Sequence, residues 1–296
     1  MRVAILTGGT GFLGFALLRL LVEKGVFVYV IVRKGSPRRR RLEGMDGVKI
    51  IDSELANVPG ICSEVDDAPD VFYHLAWGGG RDDMKAQSIN VGNSVSAMRI
   101  AASLGAERFV ATGSQAEYGV SRDLLTESST LNPVTAYGKC KVEAYNVLER
   151  MSKDLGVGVS WARVFSVYGP GDNPGTLISY LVRMLQKGQS PVVTKATQLW
   201  DYLYVDDAVD ALYMLGVNGG YGVWNVASGE SRPLKAFIEE VRGIINPDVK
   251  IDYSLPVTDR TVSLLADISK IKTKLGWNPE VSFDDGIKKI LSCWRP

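Results

Sequence analysis

The chain has 296 residues, of which 46% are hydrophobic. That is enough apolar material for one large α/β domain or a domain with a smaller lobe, and it excludes disorder. Thirty-four basic residues against 33 acidic ones leave a net charge of +1, which gives no basis for nucleic acid or a membrane surface as the partner. The three cysteines, Cys62, Cys140 and Cys293, form no CxxC pair, so neither a disulfide framework nor a metal site is expected. No apolar run is long enough for a signal peptide or a membrane span, and a soluble cytoplasmic protein is the expectation.

In chain order, Val3–Leu6 reads as a buried strand. Phe12–Lys24 follows with apolar residues at helical spacing, and Gly25 ends it. Val26–Val32 is a β-branched strand. Val48–Ile51, Val71–Leu75 and Phe109–Ala111 are further short apolar runs, with a helical pattern over Ser88–Leu104 before the last. A helix over Val134–Leu155 and a strand over Val157–Val164 complete the alternation. Strand–helix alternation predicts an α/β fold: a Rossmann-type doubly wound parallel sheet with helices on both faces. From Gly169 onward prolines and glycines become frequent. The expected division is a dinucleotide-binding domain with the catalytic residues over 1–168. Residues 169–296 then form a smaller substrate lobe, interleaved with the end of the sheet.

Gly8, Gly11 and Gly14 are spaced G-x-x-G-x-x-G between the first strand and the first helix. Glycines there allow a tight turn and bring a pyrophosphate against the backbone, facing the positive end of the helix. NAD-binding chains carry an acid at the end of the second strand, for the ribose 2′-hydroxyl. This chain has Arg33 there, 19 residues after Gly14. A guanidinium grips a 2′-phosphate in two hydrogen bonds, so NADP(H) is the expected cofactor. Arg38 to Arg41 lie close by in sequence, most of them expected as a solvated basic loop. Tyr137 and Lys141 form Tyr-x-x-x-Lys on a helix, and residues four apart share a face. A nearby ammonium is expected to lower the phenol from its usual value of about 10 and suit it to proton transfer.

With these two motifs the chain resembles the extended short-chain dehydrogenase/reductase family, particularly its nucleotide-sugar branch. The likeness extends through His74-Leu75-Ala76, Thr112-Gly113-Ser114, Val167-Tyr168-Gly169-Pro170-Gly171, Tyr204-Val205-Asp206-Asp207, Asn225-Val226-Ala227-Ser228-Gly229-Glu230 and Ala266-Asp267. The resemblance implies that Tyr137 is general acid or base and that Ser114 bonds the reacting oxygen. Lys141 holds the nicotinamide ribose, and Asn90 orders a relay water. Cofactor contacts fall on Gly8, Thr10, Gly11, Phe12, Leu13, Gly14, Arg33, Asp52, Leu75 and Ala76. Substrate contacts fall on Trp77, Ser114, Gln115, Ser166, Trp200 and Arg260. His74, the only histidine, has a structural role at a strand end.

Three departures narrow the reading. Gln115 and Ala116 stand where the sugar dehydratases carry an Asp-Glu pair, which removes water elimination. Ser166 replaces an asparagine. Trp200 stands where an arginine usually binds the sugar diphosphate, and Arg260, Arg183 or Lys195 are its candidate replacements. The expected function is NADPH-dependent reduction of a nucleotide-linked 4-keto-6-deoxy sugar. The alternative is a 4-epimerase with NAD, and a remote one is a non-catalytic NADP(H) sensor. Relatives pair the two helices at Ser88–Leu104 and Val134–Leu155 across a homodimer, and the same is expected here.

Overall fold

The computed structural model describes residues 1–256 and 263–293. Seven parallel strands form the main sheet: β1 (Val3–Thr7), β2 (Phe27–Val32), β3 (Val48–Asp52), β4 (Val71–His74), β5 (Arg108–Ser114), β6 (Gly158–Val164) and β9 (Gly222–Val226). Their spatial order is β3-β2-β1-β4-β5-β6-β9. Successive residues of each strand face opposite sides, and both sides are buried. Ile5, Phe72 and Phe109 pack under helices α3 (Met84–Ser103) and α4 (Ala136–Leu155), while Leu6, Tyr73 and Val110 pack toward α1 (Phe12–Glu23) and α6 (Val205–Asn218). Strands covered on both faces read as continuous apolar runs, which is the pattern seen in the sequence.

The strand order reverses between β1 and β4. In doubly wound sheets the crevice outside the carboxyl ends at this point is where ligands bind. The glycine turn and the end of β4 both open onto it.

Element ends differ from the sequence reading where a polar side chain caps a helix. Asp83 accepts from the Ala86 amide at 3.1 Å, so α3 starts one turn before Ser88. Thr135 accepts from the Gly138 amide at 3.1 Å, so α4 starts at Ala136 and not at Val134. β5 is longer than its apolar run. Thr112, Gly113 and Ser114 continue in register with Ala162, Arg163 and Val164 of β6, which carries Ser114 to the strand's carboxyl end.

The second half holds a small sheet of β7 (Ser166–Tyr168), β8 (Leu199–Tyr204) and β10 (Ser231–Pro233), in the order β10-β8-β7. Around it α5 (Leu177–Gln186), α7 (Leu234–Ile245) and α9 (Phe283–Cys293) share a core with Tyr168, Tyr204 and Val205. β9 returns from this region to the edge of the main sheet beside β6. Among the described residues no helix is long and apolar enough to cross a membrane.

Candidate active site

Two cavities meet the carboxyl edge of the sheet. The larger, about 770 Å³, runs over the β1–α1 turn and is lined by Thr7, Gly8, Thr10, Gly11, Arg33, Arg38, Leu75, Ala76, Trp77 and Asn90, among others. The smaller, about 500 Å³, lies between the ends of β5 and β6 and the small sheet. Ser114, Gln115, Tyr137, Ser166, Trp200, Tyr202, Asp172 and Arg81 are part of its wall.

The larger cleft suits a dinucleotide. Gly8 has φ +78, and a Cβ on it would stand 2.7 Å from the Ala76 amide nitrogen. A Cβ on Gly14 would stand 2.1 Å from the Gly8 carbonyl oxygen, so the turn and α1 touch backbone to backbone. Gly11 is the N-cap of α1, with no side-chain cap and no acid in the first turn. The first amides of that helix therefore face the cleft with their partial positive charge uncompensated by the helix's own side chains.

The basic side of the cleft is divided. Arg33 and Arg38 line it, and among the described residues neither has a carboxylate partner. Arg39 is held by Asp52 and Glu43 at 2.9 and 2.8 Å. Arg41 lies 3.4 Å from the Thr10 carbonyl. Asp52 ends β3 in that ion pair, and its neighbour Ser53, not Asp52 itself, lines the cleft. Leu13 lines the smaller cavity, and Phe12 packs with the lobe core.

Tyr137 and Lys141 lie one turn apart in α4. The Tyr137 amide donates to the Arg81 carbonyl at 2.9 Å, and the Arg81 guanidinium lies 5.2 Å from the phenol ring centroid. Lys141 is only 2% exposed. Its ammonium donates to the Thr112 carbonyl at 2.6 Å and lies 3.6 Å from the centroid of the Trp77 ring. One expectation is corrected here. Burial raises the Tyr137 phenol above its ordinary value, with Ser114 and Arg81 opposing it and Glu117 adding to it. Lys141 does not lower it, because the ammonium is taken up by Thr112 and Trp77 and stands 5.7 Å from the phenol centroid. The Ser114 hydroxyl donates to Gln115 Oε1 at 3.1 Å and accepts from the Ala116 amide at 3.2 Å.

Trp77 falls on the cofactor cleft and not on the wall of the smaller cavity, where the sequence reading placed it. The reason is the turn Trp77–Gly80, which folds back on α3. Asn90 donates to the carbonyls of Gly78 (2.8 Å) and Ala86 (3.1 Å) and accepts from the Gly78 amide. Asn90 thus holds this turn at the cleft wall. His74 bridges Thr7 Oγ1 (2.8 Å) and Ser94 Oγ (3.0 Å), 3% exposed. Thr7 accepts from the Ala76 amide and Ser94 donates to the Asn90 carbonyl. Thr7 thus gives its proton to Nδ1, and His74 donates through Nε2.

Sequence reading missed three residues. Glu117 is fully buried and accepts from Arg163 (2.7 Å), the Ser114 amide (2.8 Å) and the Trp161 indole (3.0 Å). Its signal was present: Ser114 and Glu117 are spaced as a capping box. Gln87, 1% exposed, sits one turn before Asn90 on the same face of α3. Arg81 carries no motif. Of the residues considered as replacements for the diphosphate arginine, Arg183 donates to the Pro174 carbonyl at 3.1 Å, and neither it nor Lys195 lines the smaller cavity. Arg260 lies outside the described residues. Arg81 is the only Lys or Arg in that wall among the described residues.

A dinucleotide cleft at the switch point, opening beside a Tyr-Lys helix, is the arrangement of the extended short-chain dehydrogenases/reductases, an oxidoreductase-type class that works with a nicotinamide cofactor. The chain belongs to the NAD dependent epimerase/dehydratase family, which it matches over residues 4–227. It is 26% identical to UDP-glucuronic acid decarboxylase 1 of Arabidopsis thaliana, over 98% of this chain and 69% of that protein. It is 25% identical to dTDP-4-dehydro-6-deoxyglucose reductase of Escherichia coli, over 98% and 97%. UDP-glucose 4-epimerase from Thermotoga maritima, solved with UDP-glucose, has the same fold at a TM-score of 0.88, with 22% identity over 99% and 98% of the two chains. A Bordetella bronchiseptica enzyme solved with NAD and UDP superposes at 0.84, with 26% identity over 99% and 93%.

Proposed function

We propose that the protein reduces the 4-keto group of a nucleotide-linked 6-deoxy sugar with NADPH. The observation that carries this reading is the pairing of Ser114 and Tyr137 in one cavity wall, adjoining a cleft lined by Arg33 and Arg38, neither of which is ion-paired among the described residues, with the Glu54 carboxylate in the same lining. NADPH supplies the hydride when bound in the cleft. The Tyr137 phenol gives its proton to the carbonyl oxygen as negative charge develops on it, and the Ser114 hydroxyl donates a second hydrogen bond to the same oxygen. A phenol raised by burial keeps its proton at neutral pH, as a donor in a reduction must. Glu117, three residues after Ser114, is locked in the Arg163 ion pair and accepts from the Ser114 amide, so it is not available for water elimination.

The E. coli relative of nearly equal length, whose name is that of a 4-keto-sugar reductase, supports the same substrate class. We place the enzyme in the cytoplasm, as a homodimer formed through α3 and α4. The test is incubation with NADPH and a nucleotide-linked 4-keto-6-deoxyhexose, with nicotinamide absorbance followed. The reading requires cofactor oxidation in step with substrate loss. Interconversion of UDP-hexoses without added NADPH would replace it with the epimerase reading.

A further inference from the structure

The turn after β4 consists of one indole followed by three glycines, Trp77-Gly78-Gly79-Gly80. Three successive glycines leave a chain with little conformational preference of its own. Here the turn is fastened from α3. Gln87 donates to the carbonyls of Gly78 (3.2 Å) and Gly80 (2.9 Å) and accepts from the Trp77 indole N–H at 2.6 Å. Asn90 adds its bonds to Gly78. The indole is thereby fixed at its edge, with its face turned to the Lys141 ammonium 3.6 Å from the ring centroid and its plane at 89° to that of Tyr137.

We propose that Trp77, which lines the larger cleft, is a positioning residue whose indole face holds the buried Lys141 ammonium behind that wall. The remaining surroundings of Lys141 do not do this alone. The Thr112 carbonyl fixes one N–H direction. Trp161 lies at 5.7 Å, and of the charged and titratable neighbours Glu117 attracts, Arg81 stands beyond Tyr137, and His74 is neutral. Burial pulls the Lys141 ammonium well below its ordinary value, with Glu117 opposing, so with one hydrogen-bond acceptor its charged form needs a second source of negative potential, and a desolvated indole face at 3.6 Å supplies it. The proposal rests on the reading of Lys141 as the lysine that meets the cofactor.

The experiment uses the full chain with Trp77→Phe, Trp77→Leu, Lys141→Met and the Trp77→Leu/Lys141→Met pair. NADPH and NADH titrations and thermal melting are run on each. Lysine side-chain NMR, with Lys141→Arg identifying the signal, reads the contact without any sugar substrate. The Lys141 Hε signal is expected upfield, from the ring current, in the wild type and in Trp77→Phe, and at its ordinary position in Trp77→Leu. The affinity for the preferred cofactor should stay within about threefold in Trp77→Phe and fall about tenfold or more in Trp77→Leu, since phenyl keeps a π face and leucine does not. In the Lys141→Met background Trp77→Leu should change it by less than about threefold. An unshifted Lys141 signal in the wild type overturns the proposal. So does a Trp77→Leu loss undiminished in Lys141→Met, or a Trp77→Phe protein that melts normally yet binds as poorly as Trp77→Leu. If the sugar reductase reading alone is wrong, 4-keto sugars leave NADPH unoxidised while all these readouts hold.

Discussion

Tyr137, Arg33 and His74 each allow a residue-level test. Tyr137→Phe removes one oxygen from the cavity wall and should lower kcat by roughly 10² or more with little change in NADPH affinity. Near-normal turnover would put the proton donor elsewhere. Arg33→Asp places a carboxylate where a 2′-phosphate would lie. It should reverse a preference for NADPH over NADH that is at least about tenfold, or about 1.4 kcal/mol. Equal affinities in the wild type, by titration, would contradict the NADPH assignment. His74 is neutral because burial pulls its imidazole down to about 3, aided by the charge of Lys141. The unfolded chain, at about 6.5, therefore takes up the proton first, and stability is lost as pH falls below that value. Between about pH 7.5 and 5.5 the wild type should lose more stability to urea than His74→Gln does. Asp201, pushed up to about 6 by burial, acts in the opposite direction near the lower end of that range, and it is common to both proteins. Equal losses would mean that the buried proton site is not His74.

At the scale of elements, the glycine turn, the first two strands and the Tyr-Lys helix were legible because each depends on local chemistry. A turn that must touch a neighbouring backbone needs glycine, and a strand covered on both faces needs an apolar run. Helix starts were displaced where Asp83 and Thr135 cap them, since polar residues break an apolar pattern before they break a helix. The small sheet was not legible. β7 and β10 have three residues each, too few for any periodicity. The place of Trp77 on the larger cleft was not legible because its direction is set by Gln87, ten residues away, through a hydrogen bond that no spacing rule encodes. The proposed dimer belongs to this scale as well. Met84 on α3 is 49% exposed, and α3 packs alongside α4, whereas Ile89 faces the larger cleft. Met84→Glu should shift the light-scattering mass from dimer toward monomer at micromolar concentration. A monomeric wild type would remove that assignment.

For the whole molecule, the order of the seven strands brings the glycine turn, the end of β5 and α4 to one edge, and the small sheet closes the far wall of the smaller cavity. Rossmann architecture was readable from the alternation of elements. The substrate was not, because the wall of the smaller cavity, where we propose it binds, is assembled from β8, α5 and the turn at Arg81, far apart in sequence. The reduction itself is tested most directly by the path of the hydride. With NADPH deuterated at the transferable position of the nicotinamide, and a nucleotide-linked 4-keto-6-deoxyhexose as substrate, each product sugar should carry one deuterium at C4, with equal NADP⁺ released. Product without deuterium, or a hexose epimerised with no net change in the cofactor, would contradict the account.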